Sequence, residues 1–233
     1  MNATLQEKIS QARDRLARLL DAGNLAPGTT AVAWTGGKDS TLALYLWREF
    51  LAEHFPGETP RALNLDTGHE FPEIIEFRDR IAREWGIDLQ VVRPSLSPEQ
   101  EQAAVPANKA ECCGLRKIAP LKQGIADNAI ATLITGVRRD EHPSRLDRPW
   151  IEPMLEPPHS RVHLILELTE TDVWAVTAER GIPYCPLYDL GYRSLGCGPC
   201  TRNPMDAGQG DERAGRDPDK ESILAQLHGL GYF

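Results

Sequence analysis

The stretch Thr35-Gly36-Gly37-Lys38-Asp39-Ser40-Thr41 (TGGKDST) follows a short apolar run at residues 31–34 and precedes a second run at residues 42–46. This order predicts a strand, a tight turn and a helix. Backbone N–H groups at the start of such a helix can converge on an anion, and the helix dipole favours negative charge there. Two glycines allow a phosphate to approach the backbone, and Lys38 and Ser40 offer a charge and a hydroxyl. The stretch therefore predicts a phosphate-binding turn, with a purely structural Gly-Gly turn as the alternative.

Strand and helix patterns alternate along the rest of the chain. Apolar runs predict strands at residues 31–34, 62–65, 88–92 and 129–134. Apolar residues at helical spacing predict helices at residues 4–22, 74–85, 115–125 and 218–228, and a further helix that Thr169 caps. Such alternation is typical of an α/β fold with a doubly wound, mostly parallel sheet. Ligands of these sheets bind beyond the carboxyl ends of the strands.

Residues 141–161 interrupt this alternation. Prolines stand at positions 143, 149, 153, 157 and 158, and neither periodicity is visible. We interpret the segment as a long functional loop over the site, with a disordered excursion as the alternative. The sequence then divides into one domain at residues 1–203, which opens with a helical segment at 1–28, and a C-terminal tail at 204–233.

The composition is typical of an ordinary globular protein. Of 233 residues, 41% are hydrophobic and 26% are charged, and no apolar run approaches the roughly 20 residues of a membrane span. The N-terminal residues lack the pattern of a secretory signal, so we expect a cytoplasmic protein without a membrane partner. A net charge of −8 disfavours general nucleic-acid binding. A homo-oligomer is compatible with these numbers.

Five cysteines are the most informative residues outside the turn. Cys112 and Cys113 are adjacent, Cys197 and Cys200 form a C-x-x-C pair, and Cys185 stands alone. A thioredoxin-type couple would need only the C-x-x-C pair, near the start of a βαβ unit. Four thiolates are the number that a 4Fe-4S cluster requires, and structural zinc needs the same number. Adjacent cysteines fit the usual zinc knuckles poorly, which favours the cluster.

Several motifs together resemble one enzyme family. The turn resembles the PP-loop, SGGKDS, of N-type ATP pyrophosphatases, and residues 66–73 resemble the DTG…FPE segment of that superfamily. Residues 135–140 resemble a TG-x-R-R-D anion-binding segment, and residues 172–174 and 182–189 resemble a DVW…PYNPLYD stretch. With the CC…C-x-x-C cysteines, residues 30–201 are similar to the iron-sulfur branch of the phosphoadenylyl-sulfate and adenylyl-sulfate reductase family. The resemblance implies an adenine nucleotide alpha hydrolase-like fold of the PP-loop type.

The resemblance also implies site residues. The nucleotide, adenylyl sulfate or ATP with or without Mg²⁺, would bind Thr35, Gly36, Gly37, Lys38, Asp39, Ser40, Asp66, Thr67, Gly68 and Gly136. The sulfate or phosphate would lie against Arg138, Arg139, Arg145 and Arg161. Lys38, Arg138 and Arg139 would then take part in catalysis. The 4Fe-4S cluster would be held by Cys112, Cys113, Cys197 and Cys200.

The C-terminal residues depart from the reductase pattern. Reductases of this family carry an ECGLH-like tail whose cysteine attacks the sulfate sulfur before thioredoxin discharges the product, whereas this sequence has no cysteine after Cys200. Residues 211–216 and the final HGLGYF instead resemble the small catalytic subunit of ATP sulfurylase, which works beside a GTPase subunit. The alternatives are therefore adenylyl transfer to sulfate, sulfur transfer after adenylation, or a non-catalytic nucleotide or redox sensor. In a reductase, Cys185 would be the substitute nucleophile; otherwise it is inert packing.

Overall fold

A single six-stranded sheet organises the chain, and the computed structural model describes residues 3–97, 99–100, 108–203 and 210–232. The strands are β1 (Thr30–Ala33), β2 (Arg61–Leu65), β3 (Asp88–Val92), β4 (Thr132–Thr135), β5 (Ile151–Leu155) and β6 (Pro158–His163). Their order is β3-β2-β1-β4-β6-β5, and all neighbours are parallel except β5 and β6. The predicted doubly wound, mostly parallel sheet is confirmed.

Helices connect the strands and cover both faces of the sheet. They are α1 (Ala3–Asp21), α2 (Lys38–His54), α3 (Pro72–Trp85), α4 (Lys109–Cys113), α5 (Ala119–Asp127), α6 (Glu170–Arg180), α7 (Pro218–Ser222) and α8 (Leu224–Gly229). On one face α2 buries Leu42, Leu46 and Phe50 in the main core. On the other face α5 packs Leu121 and Ile125 against β1 and β2. β1 is fully buried between these layers, as a central parallel strand should be.

The predicted long loop at residues 141–161 is wrong in its main feature. The segment contains a short 3-10 turn at Pro143–Arg145, strand β5 and the start of β6. The antiparallel pairing of the two strands runs from Ile151↔Val162 to Leu155↔Pro158. Prolines concealed these strands, because Pro153 lies on an edge strand and Pro158 opens a strand, the two positions where a sheet tolerates proline. The buried polar residues Arg161 and His163 further hid the alternation of β6.

The helix predicted at residues 115–125 begins earlier than expected. Asn108 caps α4 by accepting hydrogen bonds from Ala110 N and Glu111 N at 3.1 and 3.2 Å. A π-helical turn at Gly114–Ile118 then joins α4 to α5. Cys112 and Cys113 consequently lie on the helix rather than before it. The predicted C-terminal helix is likewise divided, with a break at Ile223. No helix in the described ranges is long and apolar enough to cross a membrane.

Candidate functional site

The sheet topology creates a crevice at the carboxyl ends of β1 and β4. β1 pairs with β2 on one side and with β4 on the other, so the chain leaves β1 and β4 toward opposite sides of the sheet. Residues 34–40 follow β1 and residues 136–141 follow β4. Doubly wound sheets bind ligands at such a switch point. The PP-loop (residues 35–40) therefore lies where the topology places a ligand.

Hydrogen bonds within the PP-loop fix its shape. The N–H of Thr35 donates to Ser40 Oγ at 3.2 Å, and the two hydroxyls lie 3.1 Å apart. Ser40 Oγ also donates to the carbonyl oxygen of Gly37 at 3.0 Å. The N–H of Lys38 donates to the Tyr188 hydroxyl at 2.8 Å, which ties the loop to residues 186–188. These hydrogen bonds hold the loop in one shape.

Gly136 allows the segment after β4 to touch the PP-loop. A Cβ at this position would lie 2.6 Å from the backbone nitrogen of Ser40 and 2.7 Å from the carbonyl carbon of Asp39. Both are backbone atoms of the first turn of α2, which cannot move without moving the loop. Glycine is therefore required at position 136 for steric reasons.

A cavity of about 150 Å³ lies between these two segments. Its wall contains six of the predicted nucleotide-binding residues: Thr35, Gly37, Asp39, Ser40, Thr67 and Gly136. Gly36 and Lys38 belong to the PP-loop and Asp66 and Gly68 to the segment after β2, but none of the four lines the cavity. Gly36 has φ +78°, and a Cβ there would lie 3.0 Å from Ile74 Cγ2. This glycine is needed for the turn itself.

Lys38 and Arg138 meet at a buried carboxylate from the tail. Glu212 accepts a hydrogen bond from Lys38 Nζ at 2.5 Å and another from Arg138. Arg138 also pairs with Asp39 and with Asp140. Burial alone would lower the pKa values of Lys38 and Arg138, but the neighbouring carboxylates raise both. An acidic side chain thus occupies the place between two cations where the sequence predicts an anionic substrate group.

The four arginines that were predicted to bind an anion do not line one common site. Arg145 lines the cavity and pairs with Glu141. Arg138 is 0% exposed and is saturated by carboxylates, so it lies under the cavity rather than in its wall. Arg139 pairs with Glu167 on another surface. Arg161 donates to the carbonyl oxygen of Gly231 at 2.5 Å and so holds the tail instead of a substrate.

The segment after β2 connects the cavity beside the PP-loop, here called the PP-loop cavity, to the cysteines. Asp66 accepts two hydrogen bonds from Arg93, at 3.0 and 2.8 Å, and one from the N–H of Gly68. Although burial works in the opposite direction, these contacts lower the pKa of Asp66. Thr67 Oγ1 lies 3.4 Å from Cys197 Sγ, and the carbonyl oxygen of Thr67 accepts from Arg116 at 3.1 Å. Residues 66–68 therefore form the wall between the two sites.

Four cysteines converge on a second, smaller cavity, as the resemblance implied. Cys112, Cys113, Cys197 and Cys200 all line it. In a tetrahedral zinc site the sulfurs lie about 3.8 Å apart, because each Zn–S bond is about 2.3 Å. No three of the cysteine sulfurs, all of which belong to described residues, lie within 4.8 Å of one another.

Basic side chains surround this cysteine cavity. Lys109, Arg116, Lys117 and Lys220 line it together with His69. Burial and the neighbouring thiols raise the pKa of Cys112. Burial would also raise the pKa of Cys197, but Lys117 and Lys220 and a hydrogen bond with Thr67 lower it. Positive charge of this kind compensates the negative charge of thiolates.

Cys185 lies away from both cavities. It is 0% exposed within the main hydrophobic core, and it lines neither the PP-loop cavity nor the cysteine cavity. Burial raises the pKa of its thiol, which lowers the fraction of reactive thiolate. The geometry therefore does not support the expected role of Cys185 as a nucleophile.

Several cavity residues were not predicted. They are Glu70, Lys117, Glu141, Tyr188, Arg213, Arg216 and Tyr232. Lys117 lines both cavities, and its position directly after Arg116 in the cysteine segment was the available signal. Arg213, Arg216 and Tyr232 come from the tail, which the sequence pattern sets apart from the domain at residues 1–203. Lys117 and Lys220 lower the pKa of Tyr232 to about 8 even though burial opposes this.

Comparison with known proteins identifies the family. The model of the phosphoadenosine phosphosulfate reductase domain matches residues 29–203, which is most of the chain. The chain belongs to this family. Its match covers the PP-loop, the wall at residues 66–68 and all five cysteines, so the resemblance inferred from the motifs is confirmed.

Individual relatives agree with this membership of the reductase family. An adenosine 5'-phosphosulfate reductase from Salinibacter ruber is 35% identical over 183 residues, 76% of this chain and 71% of the relative. A phosphoadenosine 5'-phosphosulfate reductase from Gloeobacter violaceus is 33% identical over 175 residues, 72% of each chain. The crystal structure of phosphoadenylyl-sulfate reductase from Candida auris shares the fold, with a TM-score of 0.63 at 18% identity, and covers 83% of this chain and 95% of its own.

Proposed function

We propose that this chain is a reductase of adenylyl sulfate, with or without a 3′-phosphate, and that its four cysteines hold a 4Fe-4S cluster. The observation that carries the proposal is the contact between the two cavities, which share Lys117 as a common wall. A nucleotide whose phosphate lies at the PP-loop would extend its sulfate toward Lys117. Arg145, Arg213 and Arg216 line the same cavity and are suited to a sulfate, because guanidinium groups bind oxyanions in a bidentate manner.

The reaction requires a thiol and two electrons. A protein dithiol of the thioredoxin class supplies both: one thiolate attacks the sulfate sulfur, the S–O bond breaks, and the bridging oxygen leaves with adenosine monophosphate. The second thiol then attacks the sulfur of the dithiol that carries the sulfonate. Sulfite is released, and the dithiol becomes a disulfide. The basic side chains of the cavity stabilise the negative charge that moves onto the departing phosphate.

The cysteines, Arg116 and Lys117 have defined tasks in this proposal. Cys112, Cys113, Cys197 and Cys200 would bind the cluster, which supplies a redox-capable group beside the sulfate end of the cavity. Lys117 would hold the sulfate between the nucleotide and the cluster. Arg116 orders the wall, because it donates to the carbonyl oxygens of Thr67 and Gln100 at 3.1 and 3.0 Å.

We expect anaerobically purified protein to be brown and to contain about four iron and about four acid-labile sulfide per chain. Metal analysis and the visible absorption spectrum measure both. Replacement of Cys113 with Ser should remove the iron and sulfide, whereas Cys185→Ser should retain them because Cys185 lies in the main core. Stoichiometric zinc without sulfide in the parent protein would contradict the cluster.

Replacement of Cys185 with Ser should leave turnover of adenylyl sulfate within about twofold of the parent, because the attacking thiol comes from the dithiol protein. The expected cost is a modest loss of stability from a hydroxyl in an apolar environment, about 1–3 kcal/mol. Sulfite release with reduced thioredoxin measures turnover, and mass spectrometry should find no sulfonate on Cys185. An adduct there, together with lost turnover in a variant that keeps its cluster, would identify Cys185 as the nucleophile.

Adenylyl transfer from ATP to sulfate is the second candidate, because the PP-loop retains Lys38. The charges disfavour it: Glu212 pairs with Lys38, where the pyrophosphate of ATP would need to bind. The oxygens of Asp39, Glu141 and Glu212 lie within 4.8 Å of one another, but Lys38, Arg138 and Arg145 already compensate them, which argues against Mg²⁺ there. Parallel assays of ATP with sulfate and of adenylyl sulfate with thioredoxin distinguish the two. Pyrophosphate release from ATP alone would favour the transferase.

A further inference from the structure

Lys220 is a buried lysine that the proposed reaction does not use. Its side chain belongs to the tail helix α7 and is 1% exposed. Nζ has no hydrogen-bond acceptor within the described part of the chain. The ring of Tyr232 lies beneath it, with the centroid 5.4 Å from Nζ. A buried amine without an acceptor is costly, so this position requires an explanation.

The cysteine cavity is the space that Lys220 borders. Lys220 lines it together with all four of its cysteines. Two other basic residues of the cavity have partners: Lys109 pairs with Asp217 at 3.1 Å, and Arg116 donates to backbone carbonyls. Lys220 therefore offers unused N–H donors directly at the place where the thiolates converge.

The backbone of the tail is joined to the cysteine segment near Lys220. Asp217 N donates to the carbonyl oxygen of Cys200 at 3.1 Å, and Arg202 N donates to that of Gly215 at 2.7 Å. The side chain of Asp217 accepts from Lys220 N at 3.0 Å and so caps α7. Leu224 and Leu227 of α8 pack against Cys113. The tail therefore covers one side of the cysteine cavity, and Lys220 is the lysine of the tail that lines this cavity.

We infer that Lys220 is a positioning residue that donates hydrogen bonds from the tail to the group bound by the four cysteines, either to a thiolate or to a bridging sulfide. This inference rests on the proposed cluster. Donors and positive charge near a cluster favour its reduced, more negative state, and hydrogen bonds to the sulfurs raise its reduction potential. The same contact links the bound group to the position of the tail, which also supplies Glu212, Arg213 and Arg216 to the nucleotide site.

The test compares Lys220→Met with two other variants of the full chain, all purified anaerobically. Lys220→Met keeps the length of the side chain and removes its N–H donors. Lys220→Arg retains them. Lys122→Met is the matched control, because the Lys122 side chain lies near Gly231 of the tail but does not line the cysteine cavity. The readouts are iron and sulfide content, the reduction potential of the cluster and the rate at which trypsin cuts the tail.

We expect Lys220→Met to have a more negative reduction potential than the parent and its tail to be cut about tenfold faster, as the loss of one charged hydrogen bond implies. Lys220→Arg should restore both values, and Lys122→Met should match the parent. If Lys220→Met fails to fold or to retain its cluster, Lys220→Leu, which is shorter and also lacks N–H donors, provides the potential. A potential equal to that of the parent in a loaded variant would overturn this inference alone. Absence of iron and sulfide from the parent would overturn the cluster proposal as well.

Discussion

Replacement of Gly136 with Ala should reduce nucleotide affinity about 100-fold or more. The added Cβ would lie 2.6 Å from Ser40 N and 2.8 Å from Asp39 O, distances that real Cβ atoms do not adopt. Both contacts are backbone atoms, so rotation of a side chain cannot relieve them. The end of β4 and the first turn of α2 must separate, which opens the PP-loop and misplaces its N–H groups. A loss of about 3 kcal/mol in binding corresponds to this change in affinity.

Isothermal titration with adenosine monophosphate and adenylyl sulfate measures the affinity. Gly28→Ala is the matched control, because a Cβ there meets no atom within 4 Å and its φ is not positive. Circular dichroism establishes that Gly136→Ala is folded, and an unchanged iron content establishes that the cysteine cavity is intact. A folded Gly136→Ala protein that binds nucleotide as tightly as Gly28→Ala would show that the nucleotide does not use the PP-loop.

The sequence was sufficient to predict the central part of the fold. Strands β1, β2 and β3 lie within one residue of their predicted positions, because each is a short apolar run next to a turn. β5 and β6 were missed, since their prolines and buried polar side chains satisfy the rules of an edge hairpin rather than those of an apolar strand. A short apolar run identifies a strand that is buried on both faces of the sheet. It does not identify strands whose buried residues form ion pairs.

The position of a predicted residue in the fold could be inferred where a motif fixes the backbone, but not where long side chains choose their partners. The PP-loop and the cysteine positions follow from turn geometry and ligand number, and they lie where expected. The partners of the Arg138 and Arg161 side chains could not be predicted from the sequence, because both partners lie in the tail, far away along the chain. Arg138 meets Glu212, which is 74 residues away, and Arg161 meets Gly231, which is 70 residues away. The tail contributes Arg213, Arg216 and Tyr232 to the PP-loop cavity and is therefore part of the domain.

Replacement of Arg138 with Gln should lower the free energy of unfolding by about 3–5 kcal/mol, because it breaks a buried ion-pair network. The guanidinium pairs with Asp39, Asp140 and Glu212, and its side chain is 0% exposed. Without it, Glu212 retains only Lys38 as a cationic partner within the ion pairs of the described chain. Denaturant unfolding of the anaerobic protein measures the change. The neighbouring Arg139→Gln is the control: Arg139 and Glu167 are about one-third exposed, so that pair should contribute no more than about 1 kcal/mol.

The stability of the protein at low pH should show whether these residues act as an ion-pair network or only pack together. Burial alone would raise the pKa of Glu141, but Arg145, Arg138 and Arg213 lower it to about 2 from the usual 4.5. A carboxyl whose pKa is lower in the folded state stabilises the protein above its unfolded pKa and loses that contribution as the pH falls through the folded value. The parent should therefore lose stability between about pH 4.5 and pH 2, and Arg138→Gln should lose less over the same range because one of the cations that lower the pKa of Glu141 is gone. Equal slopes in the two proteins, or a destabilisation no larger than that of Arg139→Gln, would mean that Arg138 is not the centre of the network and is available for a substrate anion after all.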